Sequence, residues 1–465
     1  MCPLLWLDLV GLTPRMIGTD TPHLAALAAR GAMAPMTTVL PAVTCSVQAS
    51  LLTGLSPQEH GAVGNGWLDP VTREVALWRQ ANQLVSGEKV YEAARPLLGG
   101  KQVAKLFWWW NMGADVDLSV TPRPFYPADG RKIAAIYSWP TEYGAQLERE
   151  LGPFPFFDFW GPKSGLPSSR WIADATIRTM RERAPGLVLA YLPHLDYDLQ
   201  RYGPNDERSQ RAVRELDGLV GQLVQAADAG GYTVVATSEY GITEVDQPVD
   251  VNRALRRAGL LVARETPTGD RLDVFGSKAF ALADHQLAHV YTKNAESTAA
   301  AAEVLRALPG VESVHVGPER AALGLDHPRA GELVAIAKPR AWFTYYYWLD
   351  DAGEPDFART VDIHNKPGYD PCELFVDPKL KAPMLRVARR LAQKKLGMRY
   401  LMDVVPTDPT LVRGSHGRLP DDPLDGPVFL CSRPFAECGG EPDGPQLDLY
   451  SVKSRVLRLL EDRRR

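Results

Sequence analysis

Residues 186–196 read Gly-Leu-Val-Leu-Ala-Tyr-Leu-Pro-His-Leu-Asp. An unbroken apolar run of this length, closed by a proline, suits a strand buried on both faces. Next, Glu207–Ala229 sets Ala212, Leu216, Leu219, Leu223 and Ala226/Ala227 at helical spacing, and Gly230-Gly231 ends it. Tyr232–Thr237 is a second buried strand and runs into Ser238-Glu239-Tyr240-Gly241. Strand, helix and strand in this order imply a parallel sheet with helices on its faces.

The same order appears toward the N-terminus. Leu4–Val10 is an apolar strand interrupted by Asp8 and followed by Gly11. Thr21 is the expected N-cap and Pro22 the first position of a helix with Leu24, Leu27 and Ala28 on one face and a stop at Gly31. Ala34–Leu40 reads as another strand. Ligands of such sheets sit beyond the carboxyl ends of the strands. Asp8, Asp196 and Glu239 all fall at those ends.

Toward the C-terminus the pattern changes. Ala279–Thr292 alternates like a strand, Thr298–Ala307 is helical and Val311–Val316 is a short strand. The expected fold is therefore α/β, a mostly parallel sheet with helices on both faces plus a small α+β cap. Residues 1–250 and 331–465 form the core of this division and 251–330 the cap insertion. Leu333–Ala337 and Trp342–Trp348 read as strands returning to the core. Residues 352–383 are a long loop rich in Pro, Gly and Asp. Met384–Leu396 is a basic amphipathic helix whose Arg389-Arg390 and Lys394-Lys395 read as its solvated face, with an anion or membrane contact as the alternative. The last helix, Asp448–Arg465, ends in a basic tail.

Bulk composition narrows the function. With 465 residues, 45% of them hydrophobic, the chain can bury a large core. Its net charge of −4 argues against a nucleic-acid polymer as partner through bulk positive charge. A phosphate-bearing ligand would need local positive charge, from a metal ion or an arginine cluster. The five cysteines form no CxxC pair, which speaks against a thiolate zinc knuckle and a disulfide framework. No run of about 18 apolar residues and no secretory leader is visible, so the expectation is a cytoplasmic protein without a membrane partner. Oligomeric state is not legible.

Thr44 lies in Pro41-Ala42-Val43-Thr44-Cys45-Ser46-Val47-Gln48-Ala49-Ser50-Leu51-Leu52-Thr53-Gly54. Two readings fit it: a plain N-cap threonine, or a nucleophile at a helix start. There, unpaired N–H groups and the helix dipole favour an alkoxide and an incoming phosphate.

The surrounding words decide between them. Trp6-Leu7-Asp8, the Thr44 segment, Thr53-Gly54-Leu55-Ser56-Pro57-Gln58-Glu59-His60-Gly61 and Asn65-Gly66-Trp67 follow in order. Tyr191–Asp196, Ser238–Gly241 and Gly414-Ser415-His416-Gly417 come after them. This series resembles the nucleotide pyrophosphatase/phosphodiesterase branch of the alkaline phosphatase superfamily. The resemblance implies a metal-dependent hydrolase of phosphodiester or pyrophosphate bonds, acting on a small phosphorylated metabolite or nucleotide through a phospho-Thr44 intermediate. It implies that Asn65 holds the substrate phosphate. It also implies two divalent ions: Asp8 and Glu239 on the Thr44 side, and Asp196 and His416 on the other. His60 reads as a structural hydrogen-bonding residue beneath the site.

Two departures stand out. Gln200 and Tyr240 occupy positions where the family has histidines. Zn²⁺ is the family's ion, whereas an oxygen-rich set favours Mn²⁺ or Mg²⁺. The loop 361–371 offers substitutes: His364, with Asp362 or Asp370, could complete the metal shell, or the loop is a surface turn. Asp284, His285 and His289 are weaker candidates on a cap strand, where structural histidines are commoner. Trp67 and Phe107-Trp108-Trp109-Trp110 could stack a flat group of the substrate or pack the core. The resemblance also admits a phosphomonoesterase, phosphonate hydrolase or phosphomutase. A non-catalytic binder of a phosphorylated metabolite is the remaining alternative.

Overall fold

A computed structural model describes residues 2–128, 132–398 and 400–461. The expected basic tail at 462–465 therefore lies outside the described residues.

The apolar runs pair into one eight-stranded sheet. Its strand order is 32–35, 428–431, 233–237, 4–9, 187–192, 103–106, 118–122, 136–139. The strand Leu4–Leu9 lies at the centre, parallel to both Leu187–Leu192 and Thr233–Thr237, with Asp8 level with Tyr191 and Thr237. Only Val428–Cys431 and the edge strand Ile136–Trp139 run against the others. The fold is thus α/β with a mostly parallel sheet, and the three central strands are buried along their whole length. Ala32–Pro35 is the second strand of the N-terminal unit, shorter than the expected Ala34–Leu40. It reaches the sheet only through its antiparallel partner Val428–Cys431.

Helix 207–229 has the bounds its periodicity dictates. Its buried Asp217 acts at a distance. The Asp217 carboxylate accepts from the backbone N–H of His23 at 3.2 Å and of Leu24 at 2.8 Å. It therefore caps the helix Pro22–Arg30, and Thr21 does not. The Thr21 hydroxyl instead donates to the Met16 carbonyl at 2.8 Å.

A second, four-stranded antiparallel sheet has its own apolar core. The expected strand Ala279–Thr292 is a hairpin of Ala279–Asp284 and Leu287–Thr292, turning at His285-Gln286. Leu333–Ala337 does not return to the large sheet. It pairs with Leu287–Val290 on one side and Val311–Val316 on the other, so a boundary at 330 would cut this sheet. Of the second expected returning segment, only Ala341–Phe343 is a strand, paired with Gln247–Val249.

No helix among the described residues is long and apolar enough to cross a membrane.

Asp217→Ala should cost about 1–2 kcal/mol, the usual loss of a buried helix cap, while Asp217→Asn, which keeps an acceptor, should cost less. Denaturant midpoints of the three proteins measure this. Equal stability would mean that the inter-helix cap contributes nothing.

Candidate active site

Asp8, Thr44, Asp196, Glu239 and His416 come together at the carboxyl ends of the central strands, and all five are buried. Thr44 is the first residue of the helix Thr44–Thr53, with Val43 as its N-cap. Its hydroxyl lies 3.3 Å from the Tyr240 hydroxyl, which donates to Asp196 Oδ1 at 3.2 Å.

One residue that the sequence reading passed over organises the Thr44 side. Gln48 stands one turn after Thr44, on the same helix face. Its amide nitrogen donates to Asp8 Oδ2 at 3.0 Å and to Glu239 Oε1 at 2.7 Å. Its amide oxygen accepts from the Trp109 backbone N–H at 2.6 Å, which fixes which end of the amide faces the carboxylates. Burial, and then the neighbouring Glu239 charge, holds the Asp8 carboxyl well above its ordinary range. Burial raises Glu239 too. Asp8 Oδ1 and Glu239 Oε2 have no hydrogen-bond partner among the described residues.

The other half gathers around Asp196. Gln200 donates to Asp196 Oδ2 at 2.7 Å and accepts from the Tyr369 hydroxyl at 2.9 Å. Burial pushes the Asp196 carboxyl up to about 7. His416 Nδ1 lies 2.7 Å from the Ala42 carbonyl, which places the ring proton on Nδ1. The bare Nε2 is unpartnered and lies 3.9 Å from Asp196 Oδ1. Burial drives this imidazole down to about 3, so it stays neutral. Tyr240 stacks on His416 with ring centres 3.6 Å apart, and His285 lies against the other neighbours, 3.6 Å from His416 and 3.7 Å from Tyr369. His285 reaches this place from a hairpin turn in which its φ is +61°.

Asn65 braces the helix start. Its Oδ1 accepts from the Cys45 N–H at 3.1 Å, and its Nδ2 donates to Asp284 Oδ1 at 3.0 Å. Asp284, which the sequence reading ranked low, thus ties the second sheet to the Thr44 helix. His60 is the structural residue expected, 2.9 Å from Ser50 Oγ. His289 is likewise used structurally, 2.8 Å from the Val63 carbonyl.

Three expected participants stand elsewhere. Asp362 accepts from Asn365 within its own turn and lines a separate hollow with Arg271 and Asp356. His364 makes no hydrogen bond to the Thr44 cluster among the described residues; its neighbours are Leu77, Asp362, Lys132 and Arg79. Asp370 pairs with the buried Lys366 at 2.7 Å. The loop reaches the site through Tyr369 instead, whose N–H binds the Ala283 carbonyl at 2.9 Å. Trp67 is 2% exposed, stacked with Trp110 and covered by Arg329, so its ring has no open face. Trp108, Trp109 and Trp110 are buried with it.

A buried helix start with a threonine hydroxyl faces carboxylates at the strand ends, and comparison places the chain among phosphoric-ester hydrolases. The model of the type I phosphodiesterase / nucleotide pyrophosphatase family matches residues 4–370, and the chain belongs to that family. A protein of Schizosaccharomyces pombe named as an uncharacterized pyrophosphatase/phosphodiesterase is 25% identical over 218 residues. That match covers 44% of this chain and 36% of the yeast protein, so it spans about a third of that relative's length. Among solved structures, murine ectonucleotide pyrophosphatase/phosphodiesterase 5, as an inactive variant with AMP, aligns with a TM-score of 0.59 at 14% identity. The alignment covers 99% of this chain and 95% of the murine one. Phosphonoacetate hydrolase of Sinorhizobium meliloti, with phosphonoacetate, gives 0.61 at 16% identity over 99% and 96%. At these identities the structures speak for the fold alone.

The donor set fits a cation best on the Thr44 side. Two buried carboxylates with free oxygens lie beside the Thr44 hydroxyl. Asp196 and His416 give one carboxylate and one bare nitrogen. Among the described residues no group of three or more His, Cys, Asp or Glu side chains is arranged to hold a metal.

The Asn65–Asp284 brace yields a pH test. Burial raises Asp284 from 3.8 to about 6. Between those values the folded chain keeps a proton that the unfolded chain releases. The contribution of Asp284 is therefore fully present below about pH 4 and lost as pH rises through 6. In Asp284→Asn that titration is absent. The wild-type-minus-variant difference in unfolding free energy should fall by up to about 1.4 kcal/mol per pH unit across the window and be flat above it. Urea titrations at stepped pH measure it, and a pH-independent difference would refute the shift.

Proposed function

We propose that this chain hydrolyses phosphodiester or pyrophosphate bonds of a small phosphorylated metabolite or nucleotide, through a covalent intermediate on Thr44. One observation carries the reading. The Thr44 hydroxyl opens a buried helix at the place where the unpartnered Asp8 Oδ1, Glu239 Oε2 and His416 Nε2 converge.

Asp8, Glu239 and Thr44 would hold one divalent cation, and Asp196 with His416 a second. Such ions lower the pKa of a bound hydroxyl and neutralise non-bridging phosphate oxygens. The oxygen-rich Thr44 side suits Mn²⁺ or Mg²⁺, while the family resemblance points to Zn²⁺. Thr44 Oγ is the attacking atom. Tyr240, between Thr44 and Asp196, gives its proton a hydrogen-bonded path. Asn65 uses one amide N–H on Asp284 and has the other for a phosphate oxygen. Gln48 keeps Asp8 and Glu239 side by side by donating to both.

A second reading, binding of a phosphorylated metabolite without turnover, is favoured by Gln48 and Tyr240, which already donate to the site's carboxylates. Hydrolysis of an aryl phosphodiester, an aryl phosphomonoester and a phosphonate, assayed with Zn²⁺, Mn²⁺ and Mg²⁺, separates the readings. Diester turnover should exceed the others, and Thr44→Ala should lower kcat by roughly a thousandfold or more. Equal turnover in Thr44→Ala would overturn the nucleophile. Absence of turnover with every ion would leave the binding reading.

A further inference from the structure

The helix Pro383–Lys395 keeps Arg389 and Lys395 in solvent, as its pattern predicts, but leaves its large apolar side chains in water as well. Arg386 and Arg390 both bind the Asp403 carboxylate. Met384 is 77% exposed, Leu385 71%, Leu396 76% and Met398 54%. With Leu391, 47% exposed, this leaves five large apolar side chains in water on the helix and just beyond its end, more than singly scattered surface residues account for.

The helix also stands apart from the core. The chain departs after Asp377 and returns at Val404, and the Asp377 N–H donates to the Val404 carbonyl at 2.7 Å. The excursion is closed at its base.

Charge identifies the occupant. From Pro378 to Met398 the sequence has seven Lys and Arg and no Asp or Glu, in a chain of net charge −4. Lys379, Lys381, Arg389 and Lys395 are exposed on or beside the apolar side and form no ion pair among the described residues. A second copy would bring the same positive charges to the contact and no acid to meet them. An apolar stripe flanked by cations fits a surface that is apolar within and negative at its edge. We propose that this helix docks the protein on an anionic lipid surface, lying in the interface without crossing it.

The test is co-sedimentation of the full chain with vesicles of phosphatidylcholine alone and of phosphatidylcholine mixed with phosphatidylserine. Binding should appear with the mixed vesicles only and weaken with salt. The double variant Leu385→Glu/Leu396→Glu should abolish it. Arg389→Ala/Lys395→Ala should weaken it by about thirtyfold, at the usual value for each of two basic residues near such a surface. Each altered side chain is exposed, so both variants should fold and turn over a soluble substrate as the wild type does. Thr44→Ala should bind vesicles normally, which keeps this proposal separate from the catalytic one. Lack of binding to mixed vesicles, or equal binding by the Leu385/Leu396 variant, would overturn it. So would a dimer in solution that this variant dissolves, which would assign the face to a second copy.

Discussion

Asp8 and Glu239 lie side by side out of water, and two such carboxylates repel each other unless a donor or a cation stands between them. Gln48 supplies the donor. One amide nitrogen reaches both groups, and the Trp109 backbone holds the amide in that orientation. The contact joins four parts of the chain: the central strand, the strand end at 239, the Thr44 helix and the tryptophan-rich loop after 103–106. That loop is fixed in turn, since the Trp110 indole donates to the Cys45 carbonyl at 3.0 Å. The position of Thr44 thus follows from how the sheet ends and how two buried charges are satisfied.

The other half of the site rests on a stack of rings. Tyr240, His416, His285 and Tyr369 come from four separate segments and stack in that order, each ring centre within 4 Å of the next. Two of these segments belong to, or bind, the second sheet, so that sheet is a wall of the site and not a distant cap. Gln200 and Tyr240 stand where the family resemblance implies imidazoles, and both donate to Asp196. The same carboxylate that a cation would claim is thereby held by neutral groups. This makes the Thr44 side, where oxygens remain free, the better cation site of the two.

The exposed helix Pro383–Lys395 shows how a local pattern can mislead. Periodicity gives a helix and its two sides, but not which side meets the protein. Asp403, placed where the chain returns, binds Arg386 and Arg390, and the apolar side chains stay in water beside the exposed Arg389 and Lys395.

The sequence by itself determined the α/β fold, because unbroken apolar runs alternating with one long amphipathic helix allow little else. It also brought Asp8, Asp196 and Glu239 to one edge, since parallel strands align their carboxyl ends, and the family resemblance added Thr44 and His416. It placed a small α+β unit after residue 250, but not its limits, because Leu333–Ala337 is as apolar as any strand of the core. Only the tertiary structure decided that Gln48, Asp284, His285 and Tyr369 join the site, and that Asp362, His364 and Trp67 stand apart from it. The reason is physical. Which donor meets which buried carboxylate, and which ring lies on which, depends on segments from about forty to more than two hundred residues apart in the chain, and no local pattern records that distance.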